Sequence, residues 1–286
     1  MCRNLVLAAT AFAALLLGAG AVQAGVQTPA PTATQTQAPP APPPQRKKAS
    51  AQERADAERL SPMARAAFWA REVDVDPTDV VANVRLASAL RQLGQYDVAA
   101  QTAQKALVID PKNYDALMET ARDYVGQGQG FYAIDPVKRA AVLAPKDWRP
   151  LSLLGVAYSQ VKRDDDAQGA WAQALKLSPE NPAVLSNMAM FLAVKGDAPD
   201  AEALLRRAVA RPDAGLQVRQ NLTLVLGIEG KLGEAEKLLR EDLPPPLAEA
   251  DLAYLKTMTA GENAAPSPVA PAGETRTWAS LKGAGG

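Results

Sequence analysis

The spacing of five prolines constrains the fold of this chain more than any other feature of its sequence. Four follow one another at intervals of 34 residues, and the fifth comes after 33: Pro77, Pro111, Pro145, Pro179 and Pro212. Proline cannot continue a helical hydrogen-bond ladder, and it disfavours helical geometry in the residue before it. The prolines therefore predict that one structural unit closes at regular intervals along the chain.

Small residues recur in register with these prolines. The units are numbered from their expected first helices, which start at Val80, Tyr114, Trp148, Pro182 and Leu216. Position 20 is then alanine in every unit: Ala99, Ala133, Ala167, Ala201 and Ala235. Position 8 is always small, whereas position 11 is always bulky, so paired helices can interdigitate. A period of 34 residues belongs to the tetratricopeptide repeat, and we predict an all-α tetratricopeptide-repeat solenoid, a right-handed superhelix of antiparallel helix pairs with capping helices.

The first 24 residues have the pattern of a secretory signal peptide. Arg3 gives a positive start, residues 5–17 form a short apolar stretch, and small residues end at Ala24, where we expect cleavage. The alternative is an uncleaved signal, which would leave a weak membrane association, although the apolar stretch is shorter than a bilayer span requires. The sequence thus predicts an exported, periplasmic protein and leaves outer-membrane association open.

The rest of the chain divides by composition and period. Residues 25–50 are rich in proline and alanine and are expected to be a disordered linker. We expect an N-terminal capping helix over 51–76, five repeats over 77–245 and a C-terminal capping helix over 246–259. Residues 260–286 are again rich in alanine, proline and glycine, so a disordered tail is predicted there.

Two positions depart from the repeat pattern. At position 15 a helix end favours a residue that tolerates positive φ, and four of the five repeats have glycine there: Gly94, Gly128, Gly196 and Gly230. The third repeat has Lys162 at this position, so its turn is expected to differ. Pro136 falls inside the expected second helix of repeat two. We therefore predict that this helix restarts there with Asp135 as N-cap, leaving Phe131 and Tyr132 in an enlarged turn.

The composition of the chain excludes most kinds of catalytic and metal-binding site. The chain has no histidine, and its one cysteine, Cys2, lies in the signal segment. The sequence therefore predicts no catalytic residue, no metal ligand and no cofactor, and the protein is not expected to be an enzyme. The run of Asp164 to Asp166 lies between the two helices of repeat three and is interpreted as capping a helix and favouring its positive end. Lysine and arginine balance aspartate and glutamate at 31 each, so nucleic acid is not an expected partner.

Binding to other proteins is the remaining expected activity. First helices of successive repeats line the concave face, where positions 2, 5, 6, 9 and 12 would meet a ligand. These positions include Arg85, Arg91, Met118, Arg122, Arg149, Ser152, Ser186, Asn187, Met190, Gln217, Gln220 and Asn221. The amides of Asn187 and Asn221 would suit an extended peptide backbone. Three of the arginines would together favour an acidic or C-terminal carboxylate group. The alternative is that each residue only solvates the groove.

A second candidate docking motif lies in the tail. Trp278 and Leu281 interrupt low-complexity sequence, and tryptophan anchors interfaces more often than it occurs in linkers. The segment around them is interpreted as docking on a partner or on the protein itself, and the alternative is an idle tail.

Several stretches are more specific than the general repeat. They read GQGFYAIDP (128–136), APKDWRPLSLLGVAYSQ (144–160), NPAVLSNMAM (181–190), QVRQNLTLVLGIEGKLGEAE (217–236) and DLPPPLAEADLAYL (242–255). Between about Pro62 and Leu255 the chain resembles TadD, the tetratricopeptide protein of the tight-adherence (Flp-type) pilus assembly system. The resemblance implies a periplasmic scaffold whose partners are pilus-assembly and secretin components. The alternative is a general periplasmic peptide-binding chaperone or adaptor that is not tied to pili.

Overall fold

The structure is a computed structural model that describes residues 47–259. The predicted signal peptide, most of the predicted linker and the tail with Trp278 and Leu281 lie outside the described residues. Within 47–259 the chain forms thirteen helices and no strand. They are α1 (Ala51–Ala57), α2 (Pro62–Val75), α3 (Val80–Gln92), α4 (Tyr96–Ile109), α5 (Tyr114–Gly126), α6 (Gly130–Leu143), α7 (Trp148–Gln160), α8 (Asp164–Leu177), α9 (Pro182–Val194), α10 (Ala198–Val209), α11 (Leu216–Ile228), α12 (Leu232–Asp242) and α13 (Pro245–Thr259).

Helices α3 to α12 form five consecutive pairs, and each first helix starts at the residue that the repeat numbering predicts. Each helix packs mainly against its neighbours in sequence, and the first helix of one pair also contacts the first helix of the next. This is the arrangement of a tetratricopeptide-repeat solenoid, in which a repeat touches only the repeats beside it. The predicted all-α fold class is confirmed.

In each of the first four repeats, the residue just before the first helix caps that helix with its side chain. Asp79, Asn113, Asp147 and Asn181 have extended φ and ψ angles, and each accepts a hydrogen bond from a backbone N–H in the first turn that follows. Each stands two residues after a closing proline. The proline therefore stops one helix, and the capping side chain satisfies an unpaired donor of the next.

The turns inside the five repeats share one backbone geometry. The four glycines at position 15 have φ between 74° and 89°, and Lys162 adopts the same left-handed region with φ 61°. In every repeat the next residue donates its N–H to the carbonyl at position 11, as Arg163 does to Tyr158 and Gln95 does to Leu90. The prediction that the Lys162 turn differs is therefore wrong, because the turn keeps its hydrogen bonds and the lysine accepts a backbone that favours glycine.

Small side chains fill the contact between paired helices. All five position 20 alanines are fully buried. In repeat three, Gly155 lies directly beneath Trp171, whose indole Nε1 donates to the carbonyl of Ser152 at 3.0 Å. The large residue on one helix therefore packs into the gap left by the small residue on the other, as the sequence pattern predicts.

The segment 51–76 departs from its prediction, because two helices replace the single capping helix. Ser50 and Glu53 form a capping box that starts α1, which ends after Ala57. Ser61 then caps α2, with Pro62 as its first residue. A serine followed by proline is a strong helix start, and this signal explains the division.

The predicted break at Pro136 is also wrong. Helix α6 begins at Gly130 and continues through this proline, whose ring is buried. Proline deprives only the carbonyl of Tyr132 of its helical partner, and Tyr132 lies on the exposed first turn of the helix, where the residue is 59% exposed. Packing of α6 against α5 and α7 maintains the rest of the helix.

The run of Asp164 to Asp166 lies inside the first turn of α8 and does not cap it, so the predicted capping role is wrong. Arg163 is the N-cap of α8 and makes no side-chain capping bond, whereas Asp164, Asp165 and Asp166 form the first turn. Their charges therefore lie near the positive end of the helix dipole without capping it. Asp166 accepts a hydrogen bond from Arg163 at 2.7 Å, and Asp164 pairs with Lys195 of the next repeat.

Candidate protein-binding surface

The first helices of the repeats, together with α13, form one continuous row. Contacts join α3 to α5, α5 to α7, α7 to α9, α9 to α11, and α11 to α13. We call these six helices the inner row. Rows of this kind give solenoids the extended concave surfaces on which they bind ligands. The predicted site residues on α3, α5, α7, α9 and α11 therefore belong to a single row of helices.

Three of the predicted site residues are buried. Met118, Ser152 and Ser186 occupy position 5, and their exposed fractions are 2%, 4% and 4%. Position 5 faces the neighbouring repeat, because Ser152 and Ser186 each accept a hydrogen bond from the following repeat. The prediction that these three side chains line an open groove is therefore wrong.

The two asparagines of position 6 supply those hydrogen bonds. Nδ2 of Asn187 donates to Oγ of Ser152 at 3.1 Å, and Nδ2 of Asn221 donates to Oγ of Ser186 at 2.8 Å. Oδ1 of Asn221 also accepts from Nε2 of Gln217 at 3.0 Å. Both amides thus join consecutive first helices, and a peptide backbone would have to share or replace these bonds.

The remaining predicted residues are spread along the inner row. Arg85 is exposed and pairs with Glu58 at 3.6 Å, Gln217 is exposed, and Gln220 is half-buried. Met190 is half-buried and packs against the apolar core of the last repeats. None of these four residues lines either of the two cavities described below.

Arg149 is held apart from the other two arginines of the predicted trio. Its guanidinium donates to both carboxylate oxygens of Asp147 at 2.6 to 3.0 Å and lies 5.8 Å from the ring centre of Tyr114. Burial would raise the pKa of Asp147, but the hydrogen bonds from Arg149 and Tyr114 outweigh it and lower the pKa to about 2. Arg149 therefore neutralises the carboxylate that caps its own helix.

Arg91 and Arg122, in contrast, converge on one carboxylate. Nε of Arg91 donates to Oε2 of Glu119 at 2.9 Å, and Nη1 of Arg122 donates to Oε1 at 2.6 Å. Asp123, one turn further along α5, is fully buried, and the described structure gives neither of its carboxylate oxygens a hydrogen-bond partner. Its Oδ1 lies 3.7 Å from Nε of Arg91. Burial, and secondarily the charge of Glu119, raises the pKa of Asp123 to about 8.

A cavity of about 350 Å³ opens beside the two arginines. We call it the arginine pocket; it is lined by Arg91, Gln92, Tyr96, Arg122, Val125, Gly126 and Leu153. A methyl group at Gly126 would lie 2.6 Å from the Tyr96 ring, so the absence of a side chain there lets the ring approach α5. Glu119 and Asp123 were not predicted as site residues, although two acidic residues one turn apart and beside arginines at positions 9 and 12 were a readable signal.

A second cavity, of about 610 Å³, lies at the edge where first helices turn into second helices. We call it the aromatic groove; it is lined by Phe131, Tyr132, Ile134, Asp135, Lys138, Val161 and Arg163. Phe131 is 72% exposed, and its ring centre lies 5.5 Å from that of Tyr132. Both aromatic residues are exposed, and they stand on the first turn of α6 and not in the enlarged turn that the sequence predicts.

Metal binding and membrane spanning would each require a recognisable structural feature. Residues 47–259 contain no cluster of three or more histidine, cysteine, aspartate or glutamate side chains placed to share a metal ion. In the same span, no helix combines the length and apolar character needed to cross a bilayer.

Comparisons with known proteins agree with this geometry at the level of fold. The structure is similar to TTC0263, a tetratricopeptide-repeat protein of Thermus thermophilus, with 23% identity and a TM-score of 0.56 over 62% of this chain and 99% of that one. It is also similar to a tetratricopeptide-repeat protein from Parabacteroides merdae, with 14% identity and a TM-score of 0.55 over 73% of this chain and 85% of that one. The fold and its inner row thus define a protein of the tetratricopeptide-repeat class.

A relative by sequence is the protein y4yS of Sinorhizobium fredii. It is 29% identical over 107 residues, which are 37% of this chain and 58% of the relative. The match therefore spans little more than half the length of that protein. No family model matches the chain.

Proposed function

We propose that this protein is an exported scaffold that binds other proteins along its inner row and takes up a carboxylate of its partner in the arginine pocket. The arginine pocket is the observation that carries the proposal. It is lined by residues of the first helices α3, α5 and α7 and by Tyr96 of α4, and its two arginines donate hydrogen bonds to the same carboxylate, that of Glu119.

The charge in the pocket favours an anion. Near neutral pH Asp123 is mostly protonated, since its pKa is about 8. Arg91 and Arg122 then carry one positive charge more than Glu119 neutralises. Within the described residues, Arg91 is hydrogen-bonded through Nε alone and Arg122 through Nη1 alone. Their other N–H groups can bind a carboxylate of the partner, either an acidic side chain or a chain end, through charge-assisted hydrogen bonds.

The proposed process is assembly of a tight-adherence (Flp-type) pilus and its outer-membrane secretion pore. Support comes from the stretches that resemble TadD, in particular DWRPLSLLGVA (147–157) and QVRQNL (217–222), which go beyond the general repeat. The proposed place is the periplasm, on the strength of the signal-like first 24 residues. N-terminal sequencing of the protein from a periplasmic extract should find Gly25 as the first residue. An intact Met1 in that fraction would contradict cleavage.

Crosslinking in the source organism, followed by mass spectrometry, tests the partner. We expect the secretin or other pilus-machinery proteins among the crosslinked partners, with links to the inner row. Crosslinks to many unrelated proteins and none to pilus components would favour the general chaperone and reject the pilus assignment.

A paired substitution tests the pocket. Arg91→Gln with Arg122→Gln keeps hydrogen-bond donors for Glu119 but removes both charges, and should abolish most of these crosslinks. The matched control, Arg59→Gln with Arg240→Gln, changes two arginines that are 83% and 65% exposed and should leave them intact. Thermal unfolding of both variants confirms that they fold. Crosslinks that survive in the folded pocket variant would refute the role of the pocket.

A further inference from the structure

The aromatic groove exposes a cluster of aromatic and aliphatic side chains. Tyr124, Tyr132 and Phe131 form a chain of ring contacts, with 5.5 Å between the centres of consecutive rings. Phe131 and Tyr132 remain 72% and 59% exposed, and no side chain in the described part of the chain covers them. Ile134 and Val161 add aliphatic surface to the lining. An exposed aromatic pair beside a cavity of about 610 Å³ marks an interaction site more often than it marks idle surface.

We propose that the groove binds this chain's own C-terminal tail, with Trp278 inserted beside Phe131 and Tyr132. Beyond Thr259 the sequence contains a single aromatic residue, Trp278, and a single leucine, Leu281. The rest of that stretch is mostly alanine, proline, glycine and short polar residues. Tryptophan is the side chain that gains most from an aromatic pocket, because offset and edge-to-face ring contacts add to its large apolar area.

The position of α13 brings the start of the tail to the edge of the solenoid at which the aromatic groove lies. Helix α13 packs against α11 and α12 as the first helix of a further repeat would. First helices run toward the edge at which they turn into second helices, and the aromatic groove lies at that edge between repeats two and three. The end of α13 is therefore three repeat steps from the first helix of repeat three, or about 30 Å at roughly 10 Å per packed helix.

The tail is long enough to make this connection without strain. Trp278 follows Thr259 by 19 residues. A fully extended segment of this length spans about 65 Å, and a flexible one has a root-mean-square length of about 25 Å. The tether would hold the tryptophan near the groove at an effective concentration of the order of millimolar. Binding within one molecule is therefore favoured over binding to a second copy.

The polar groups at the rim suit the same ligand. The side chain of Asp135 is 79% exposed and can accept a hydrogen bond from the indole N–H. Arg163 and Lys138 already lie over the ring of Tyr158, at 4.5 and 5.8 Å from its centre, and can also contact the face of a bound indole. This assignment is independent of the arginine pocket, since the two cavities share no lining residue.

Fluorine NMR of the full chain, labelled with 5-fluorotryptophan, tests the proposal. The signal of Trp278 is identified by its loss in Trp278→Phe, and a synthetic peptide of residues 272–286 gives the reference for an unbound tail. In the unsubstituted protein the Trp278 signal should be shifted and broader than in the peptide. A signal with the peptide's position and width would overturn the proposal.

Two variants on α6 identify the site. Phe131→Ser with Tyr132→Ser should return the Trp278 signal to the peptide's position. The control, Val142→Ser with Leu143→Ser, removes two exposed apolar side chains from the other end of the same helix and should change nothing. The Trp171 signal reports whether each variant folds. An unchanged Trp278 signal in the folded groove variant would refute this site.

Dilution and competition complete the test. A Trp278 signal that does not change over a hundredfold dilution supports binding within one molecule, whereas a return to the peptide's position on dilution would assign the groove to a second copy and overturn the proposal. Excess synthetic peptide should displace the tail of the unsubstituted protein and sharpen its Trp278 signal, a readout that does not require any substitution in the groove. A Trp278 signal that stays broad under saturating peptide would contradict the assignment.

Discussion

Alanine and glycine set the distance between paired helices at single positions. Gly155 is the clearest case, because a methyl group there would lie 2.3 Å from Nε1 of Trp171. That indole is almost fully buried and donates to the carbonyl of Ser152, so it cannot move aside without losing a hydrogen bond. The repeat therefore depends on a missing side chain as much as on the bulky one opposite it.

Gly155→Ala should lower the free energy of unfolding by about 1–3 kcal/mol, the usual cost of overpacking. Gly169→Ala is the matched control, because no atom beyond its own stretch of helix lies within 4 Å of the added methyl group. Alanine is the better helix former, so this control should stabilise α8 by about 0.5–1 kcal/mol. Urea unfolding of both variants checks the pair, and equal effects at the two glycines would contradict the packing of Trp171 on Gly155.

Asp123 should make stability depend on pH. In the unfolded chain its carboxyl group ionises near its ordinary pKa of 3.8, whereas burial, followed by the charge of Glu119, holds the folded pKa at about 8. The folded state therefore binds more protons between these values. The free energy of unfolding consequently falls as the pH rises from about 4 to about 8 and then levels off. Arg91 and Arg122 reduce this loss without removing it.

Asp123→Asn should flatten that decline, because the amide does not ionise. Urea unfolding at several pH values between 4 and 9 is the measurement, and the variant should be the more stable protein at the upper end. Asp135→Asn, a change at an exposed carboxylate, should keep the decline. If the free energy of unfolding of Asp123→Asn falls with rising pH as steeply as that of the unsubstituted protein, Asp123 is not the cause of the decline.

At the scale of elements, charged side chains attach α1 and α2 to the first repeat. Nη2 of Arg54 donates to Glu72 at 2.6 Å and to Asp79 at 2.7 Å. Glu72 is fully buried on α2, and Asp79 is the N-cap of α3. A single guanidinium thus joins three helices, and it neutralises carboxylates that burial would otherwise destabilise.

Arg54→Met should destabilise this end of the solenoid by about 3–5 kcal/mol, because it leaves Glu72 buried without its main cation. Arg59→Met is the control, since its pair with Asp56 is exposed and worth at most about 1 kcal/mol. Hydrogen exchange should show the loss of protection in α1, α2 and α3. Equal protection in the two variants would mean that Arg54 does not hold these helices together.

At the scale of the whole molecule, stability is distributed from neighbour to neighbour. Apolar side chains of α9 to α13 form one buried cluster and those of α5 to α9 form another, while the clusters nearer the N-terminus are smaller. Leu255 is fully buried on α13, and its side chain lies over Gly227 of α11. Repeats interact only with adjacent repeats, so damage at one end should remain near that end.

Leu255→Ala should cost about 2–5 kcal/mol locally and lower hydrogen-exchange protection in α11, α12 and α13. Protection in α3 to α6 should stay unchanged. Met258→Ala, at a residue of the same helix that is 43% exposed, should change little in either region. A uniform loss of protection along the chain in Leu255→Ala would show that the repeats unfold as one cooperative unit.

The sequence by itself determined the fold class, the starts of the five repeats and the left-handed turns. The physical reason is that prolines, glycines and alanines act locally, through dihedral limits and the size of a gap, and these effects recur with the period of the repeat. The side chains at position 34 that cap the next helix were also readable, because asparagine and aspartate act on the turn that follows them.

Only the tertiary structure decided which side chains of the inner row remain available for binding. Position 5 is buried in repeats two, three and four, and Asn187 and Asn221 donate hydrogen bonds to serines of the preceding repeat. Tertiary packing likewise maintained α6 through Pro136, and it brought Arg91 of α3 against Glu119 and Asp123 of α5. Each of these outcomes depends on distances between different helices, and such distances are set by how the repeats stack and not by the local sequence of any one of them.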